Sequence, residues 1–469
     1  MPTQNQTSFI IESVALESDR LGKAAELRGI VTDIEIFEHI QKPYLTGRML
    51  ILDDSNFYQD ANIFGSEKVT IQIKSTEIGA KLIEKIFFID RVEKQESIQD
   101  NAQVLLIHLV EDIFYISSLI NVNRHYSGKP SAIIKRIAKQ FLKKDVISSQ
   151  AATPFAGVPD FISGGITGSG FVDQQNIRCI IPNLHPIEAL QWLTARASTT
   201  KGYPFYMYST LVDKELILED LGTILSKGAL NVGRDAKFIQ QSTKTSSLDV
   251  ATTRRTIKKY EMVAGSENLL QIIRRGLVAA DYEFIDTLTE NTRKFKYDSK
   301  KDLFRKLLDD NILSADQPNP NIHFGEVIND KTLDKSFSKY ITKIGGSNAF
   351  RTQPKLGNTA WTNSYGETKT AAEYKMRVIQ DSMDAIVKKN PVNITVDGQE
   401  FIKGDFSKTI GNNIDVGFLS TAHSKKNEDA IDKKKSGKYT IYSVRHMFKK
   451  TVQTYDVALG LIKIGNMEK

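Results

Sequence analysis

The chain has 469 residues, 40% hydrophobic and 25% charged, an ordinary globular balance at a length that calls for two to four domains. No run approaches the roughly 18 apolar residues a membrane-spanning helix needs, and Met1-Pro2-Thr3-Gln4-Asn5-Gln6 lacks the basic and apolar blocks of a signal peptide. The formal charge of +7 is concentrated: residues 421–469 hold ten Lys and one Arg against five acids, so nearly all the excess sits in the tail.

In chain order, the first element is a strand module from about residue 24 to 120. Ile30, Ile34 and Ile36 alternate with Val31, Asp33 and Glu35, the period-two pattern of a half-buried antiparallel strand. Val69-Thr70-Ile71-Gln72-Ile73 follows the turn signal Phe64-Gly65-Ser66-Glu67. The apolar stretch 85–90 pairs with 104–111, and the polar residues 93–101 read as a hairpin connection. Pro130 opens a helix with Ile133, Ile134, Ile137, Ala138, Phe141 and Leu142 on one face. Residues 148–170 are rich in Gly, Ser and Pro and read as a flexible stretch. Cys179, the single cysteine, rules out an internal disulfide and lies in an apolar run as an inert core residue, which implies synthesis in the cytoplasm.

A second helix starts at Pro186 and buries Ile187, Leu190, Leu193 and Ala197. Strands return at 204–208, 215–218 and 254–262. Ser266 is placed to cap a helix carrying Leu269, Leu270, Ile273 and Leu277. Short strands at 282–285 and 295–297 lead to a helix near 302–308. Residues 314–368 are long, polar and irregular, the signature of a binding element or lid. In 370–389 the apolar residues Ala372, Met376, Ile379, Met383 and Ile386 are spaced 4, 3, 4, 3. That seam suits either a helix packed on its own domain or one lining a subunit interface. The second strand module then runs over 392–461, with Val392, Ile394 and Val396 alternating up to Asp397-Gly398. Tyr455, Val457, Leu459 and Leu461 form the last alternating set.

No catalytic, cofactor-binding or metal-binding residues can be assigned. The seven histidines (39, 108, 125, 185, 323, 423, 446) are scattered, with no His-Glu-x-x-His and no cysteine partner for zinc. His108 and His446 fall in strands and read as structural. Residues 164–170 have the glycine content of a phosphate loop but not its Lys. Gly168-Ser169-Gly170 has the wrong spacing for a nucleophile elbow. No carboxylate pair is marked as shielded for glycoside hydrolysis. The lysines of 424–435 carry no interleaved aromatics for stacking on nucleic acid, so that segment reads as a solvated loop.

Three stretches carry a family resemblance. Tyr44-Leu45-Thr46-Gly47-Arg48-Met49-Leu50-Ile51-Leu52-Asp53-Asp54 with Phe64-Gly65-Ser66-Glu67-Lys68-Val69 resembles the N-terminal signature of baseplate hub proteins of contractile-tailed (myovirus) bacteriophages. His185-Pro186-Ile187-Glu188-Ala189-Leu190 resembles their central helix. Ser436-Gly437-Lys438-Tyr439-Thr440-Ile441 with Val444-Arg445-His446-Met447-Phe448 resembles their closing signature. The family is related to the N-terminal part of type VI secretion spike proteins.

The resemblance implies an α+β, multidomain fold: two tail-tube-like antiparallel β-barrel domains with inserted helical and mixed α/β segments. The first barrel would span 24–120 and the helical or mixed insertion 121–203. The second barrel would combine 204–265 with 391–469, leaving 266–390 as a mixed, partly irregular segment on the spike side. The implied assembly is a homotrimer joining the sixfold tail tube, or a tube-initiator ring, above to the threefold central spike below. Baseplate wedge proteins are further partners, DNA passes through without specific binding, and there is no membrane insertion. The expected location is the virion tail baseplate, assembled in the host cytoplasm, with no enzyme activity. The alternatives are a tail-associated peptidoglycan hydrolase, a spike component of a type VI-like secretion or injection machine, and, on charge alone, a DNA-binding protein.

Overall fold

A computed structural model describes residues 9–18, 22–76, 79–99, 102–128, 130–147, 177–195, 197, 203–230, 238–240, 255–263, 268–286, 291–310, 312–313, 322, 326–328, 331–332, 335, 340–345, 371–402, 410–419, 432 and 435–463. The glycine-rich residues 164–170, most of 314–368, and 424–435 apart from Asp432 and Lys435 lie outside the described residues.

The first strands are β1 (Phe9–Glu17), β2 (Ala25–Glu26), β3 (Val31–His39), β4 (Thr46–Asp53), β5 (Lys68–Ser75), β6 (Ile83–Gln99) and β7 (Ala102–Glu111). Period-two alternation puts Ile34, Ile36, Met49, Ile51, Val69, Ile71, Phe87, Ile107 and Leu109 on one buried face. Residues 93–99, expected as a polar connection, are instead the second half of the 17-residue strand β6. β7 supplies their hydrogen-bond partners, and bulges at Ile89/Arg91, Val92/Lys94 and Ser97/Gln99 absorb the mismatch in length.

The middle of the chain forms β8 (His125–Gly128), β9 (Val146–Ile147), β10 (Ile177–Ile180), β11 (Phe205–Tyr208) and β12 (Leu216–Asp220). These strands and the helices Asp112–Ser118, Pro130–Ile137 and Pro186–Thr194 enclose a smaller core containing Ile134, Ile137, Cys179, Leu190, Met207 and Leu218. β11 and β12 pair with each other and with β9, not with the long sheet. They are buried on both faces: Phe205 and Met207 enter the small core, while Tyr206 and Tyr208 enter the large one.

β13 (Phe238–Gln240), β14 (Thr256–Ile257) and β15 (Lys259–Met262) come next. The following helix, Leu269–Arg274, is capped by Asn268 through a capping box with Gln271, rather than by Ser266, which lies outside the described residues. β16 (Ala279–Asp286), β17 (Asn291–Asp298), β18 (Glu326–Ile328), β19 (Lys331–Thr332) and β20 (Tyr340–Gly345) follow, with β17-β16-β20 forming a separate sheet. The helix Ala371–Val387 packs on β17 and on the 269–274 helix, and Ile379, Met383 and Ile386 are buried in the chain's own core. The described part of the heptad seam, Ile379 to Ile386, is therefore covered from within. The last strands are β21 (Val392–Asp397), β22 (Asn413–Gly417), β23 (Gly437–Lys449) and β24 (Thr454–Ile462).

Fourteen strands make one mixed sheet. Its early part runs β1-β5-β6-β7-β4-β3, with β2 flanking β1. Its late part runs β13-β22-β23-β24-β21-β15. Numbered by appearance in the chain, with β14 and β15 as one strand interrupted at Lys258, both read first, fourth, fifth, sixth, third, second. Every neighbour pair along the two paths is antiparallel in both, except that β1 runs antiparallel to β5 while β13 runs parallel to β22. In the late set, β14 also pairs with β13, so the pairings return to their start. Among the described residues, no ladder joins β1 to β3 in the early set.

The likeness extends to single hydrogen bonds. Ser66 N–H donates to Ile89 O (2.8 Å) and Ile89 N–H to Glu67 O (2.9 Å); Gly411 N–H donates to Ile441 O (3.1 Å) and Ile441 N–H to Asn412 O (2.9 Å). Ser66 and Gly411 both take left-handed backbone, with φ of 71° and 73°. Immediately afterwards both sheets bulge, at Ile89/Arg91 and at Ile441/Ser443.

Candidate functional site

The two strand sets meet where β23 runs antiparallel to β3, with Ser443 opposite His39 and Lys449 opposite Asp33. β23 reaches that far because Gly437–Lys449 is a 13-residue strand. Its first four residues pair with β22, and the same edge then continues onto β3.

On the buried side of this seam, Val444, His446 and Phe448 point inward with Ile34 and Ile36. Tyr455 O–H lies 2.8 Å from His446 Nδ1, His446 Nε2 lies 3.3 Å from Glu38 Oε1, and Leu211 N–H donates to that oxygen at 2.5 Å. Glu38, His446 and Tyr455 are each at most 2% exposed. Burial, then the nearby Glu38 and Asp397 charges, raises the Tyr455 hydroxyl well above its usual range, so it keeps its proton. Phe448 stacks on Tyr455 at 4.3 Å, and Phe9 of β1 sits 5.3 Å from Phe448. One network thus ties the early strands, the late strands and the 211 segment together.

A second buried ion pair acts nearby. Lys85 Nζ stands 3.7 Å from Glu111 Oε1 and donates to Asp213 O, while Glu111 accepts from Leu45 N–H at 2.7 Å. Burial lowers the Lys85 ammonium and raises the Glu111 carboxyl from their ordinary values, each offset in part by the other's charge.

On the opposite side, eight strands in the order β15-β21-β24-β23-β3-β4-β7-β6 form a groove of about 720 Å³. Its lining mixes apolar side chains with charged ones of both signs. Arg445 pairs with Glu35 at 2.5 Å, and the guanidinium groups of Arg48 and Arg445 lie over the Phe37 ring at 5.5 and 5.7 Å. His108 contacts Glu93 across β7 and β6. Gly47 lines the groove where an added Cβ would come within 3.2 Å of Glu35 O. At the ends of the groove lie β15, whose four residues are all exposed, and β6 at Asp90 and Arg91.

No protein-family model matches the chain, and no curated protein matches it. Among solved structures, it is similar to a tail protein from Neisseria meningitidis MC58, at 11% identity over 97% of each chain with a TM-score of 0.48. It is also similar to the 43 kDa tail protein of prophage MuSo2 from Shewanella oneidensis, at 13% identity over 96% of this chain and 98% of that one, TM-score 0.48. A Francisella PdpA–VgrG complex aligns at 8% identity over 99% of this chain and 54% of the other, TM-score 0.43.

The residues singled out in the sequence have local structural tasks. His185 precedes the Pro186–Thr194 helix in a capping box with Glu188, and its Nδ1 lies 2.8 Å from Ile120 O. Asp53 receives N–H donors from Ser55, Phe57 and Tyr58 at the start of the Phe57–Ala61 helix; burial alone would raise its carboxyl, but these donors hold it below the usual range. Cys179 is buried, and burial pushes its thiol up to about 12. His323 and His423 lie outside the described residues. Among the described residues, no group of three His, Cys, Asp or Glu side chains is placed to hold a metal ion. The Glu38–His446–Tyr455 network and the exposed strand ends were not foreseen from sequence. The one available signal was that the polar run Glu93-Lys94-Gln95-Glu96 continues the strand beyond Asp90 without a Gly or Pro to stop it.

Proposed function

We propose that this chain is a structural component of a contractile phage tail, a baseplate hub that acts as a homotrimer. The observation that carries the reading is the repeated strand order, with its repeated bulge and turn hydrogen bonds. A chain holding two quasi-equivalent units presents six of them when three copies close around an axis, about 60° apart. Each strand set is then a tail-tube-like barrel, and the trimer adapts a sixfold tube above to a threefold spike below. The groove across eight strands becomes the channel wall, of mixed charge, over which DNA slides without being held. The tube protein or its initiator ring, the central spike and the wedge proteins are the partners, the virion tail is the location, and the role is not enzymatic.

Light scattering tests this directly: a trimer is expected, with an interface on the order of 2,000 Å² or more for a permanent assembly. Negative stain should show a ring of six lobes. A monodisperse monomer at high concentration overturns the proposal. Tight, steeply salt-dependent DNA binding would count against a sliding channel, and clearing of peptidoglycan in a zymogram would overturn the non-enzymatic role.

A further inference from the structure

Among the described residues, the seam between the strand sets has a counterpart that no ladder occupies. β23 serves two partners on one edge, β22 through Gly437–Thr440 and then β3 through Ser443–Lys449. Its equivalent, β6, pairs with β5 only up to Phe88. Among the described residues, the part from Arg91 to Gln99 pairs with β7 alone. The equivalent of β3 is β15, whose one ladder among the described residues is with β21. Both members of a second seam therefore exist in the chain, at opposite ends of the same eight-strand face.

We propose that β6 of one copy pairs antiparallel with β15 of the next, in the register of the β23–β3 seam. This rests on the trimeric reading above and assigns its interface. The shared bulge aligns Ile89 with Ile441, and the ladders to β7 and β24 carry the alignment along the strand. The ladders β3–β4 and β15–β21 align Ile34 with Tyr260 and Ile36 with Met262. In the internal seam His446 faces Ile36, Met447 faces Glu35 and Phe448 faces Ile34. The intermolecular seam then sets Gln95 opposite Met262, Glu96 opposite Glu261 and Ser97 opposite Tyr260.

Two independent observations favour a second copy as the occupant. Ile34 and Ile36 are 0% and 1% exposed beneath the internal seam, whereas Tyr260 and Met262 are 37% and 44% exposed; an uncovered strand edge with apolar residues is a pairing template. One charge relation also carries over: the positions of Arg445 and Glu35, ion-paired in the internal seam, are held by Lys94 and Glu261, although Glu96 stands directly opposite Glu261 and that like-charge contact works against the pairing. A head-to-tail contact of this kind closes into a ring when the successive rotations sum to a full turn. With two equivalent junctions per copy, three copies complete it.

Cysteines at Glu96 and Glu261 test the register, because directly opposed antiparallel residues have Cα atoms about 4.5 or 5.5 Å apart, within disulfide range. The full-length Glu96→Cys/Glu261→Cys chain, oxidised under native conditions, should run as a covalent trimer on a denaturing gel and revert with reductant. Glu96→Cys/Lys259→Cys, displaced by two residues, should not. As a second measurement, Lys94→Glu should lower trimer content at fixed concentration, and Lys94→Glu/Glu261→Lys should restore it. A trimer that cross-links only in the displaced pair or in neither, or that ignores both charge changes, overturns this seam and leaves the hub reading standing. A wild-type monomer overturns both.

Discussion

Glu38→Ala should loosen the junction of three parts of the chain at once. Glu38 Oε1 accepts from Leu211 N–H at 2.5 Å and faces His446 Nε2 at 3.3 Å, in a site where Glu38 is 2% exposed. Truncation leaves the Leu211 amide and the imidazole without this acceptor, and a buried donor without a partner costs about 1–3 kcal/mol. The two together give about 2–6 kcal/mol. Glu38→Gln keeps an acceptor oxygen and should cost only about 1 kcal/mol, the difference between a charged and a neutral hydrogen bond. A chain of this size unfolds through intermediates, so a local readout is needed besides urea unfolding. Hydrogen exchange followed by mass spectrometry on the peptide containing Leu211 should accelerate by roughly two orders of magnitude in the Ala variant, since each 1.4 kcal/mol is tenfold. Unchanged exchange there, with unfolding within about 1 kcal/mol of wild type, would refute the network as a structural tie.

Burial, then the Lys42 and Lys388 charges, pushes His39 down to about 4, and its Nδ1 accepts from Gln41 N–H. The unfolded chain, with an ordinary imidazole near 6.5, binds the extra proton first. His39 therefore contributes stability that is full above about pH 6.5 and falls by up to about 3 kcal/mol as pH drops toward 4; His39→Phe should flatten urea midpoints measured between pH 7 and 4.5. Gly460→Ala would place a Cβ 2.1 Å from Ser443 Oγ and 2.9 Å from Tyr442 Cε1, costing about 1–3 kcal/mol in thermal unfolding, with part regained in Gly460→Ala/Ser443→Ala. Leu459 is 0% exposed in the sheet core, so Leu459→Asp should abolish soluble folded protein, whereas Leu459→Ala should fold with about 2–5 kcal/mol lost.

How much the sequence discloses depends on whether a residue faces the core. Ile34, Ile36, Val457 and Leu459 alternate cleanly because each strand there has one dry face, and the strands were legible. Residues 93–99 were not, because their strand character comes from β7 and from bulges that break the period. The heptad seam of Ile379, Met383 and Ile386 announced a buried stripe but not what buries it, since β17 and the 269–274 helix meet it only through tertiary folding. The shared strand order was invisible residue by residue. Ser66 and Gly411 hold the same left-handed turn with different side chains, and Phe87 and Tyr439 fill the same ladder position with different aromatics. Neither the Glu38–His446–Tyr455 network nor the exposed ends of the groove has a local motif, because partners more than 400 residues apart meet only at the seam.

The doubly engaged strand β23 has a mechanical corollary. Its ladder to β3 lies beside its ladder to β24, so a force drawing the halves apart along the strand axis is shared by every backbone bond in the overlap at once. Shear of that kind resists far more load than peeling bonds one by one.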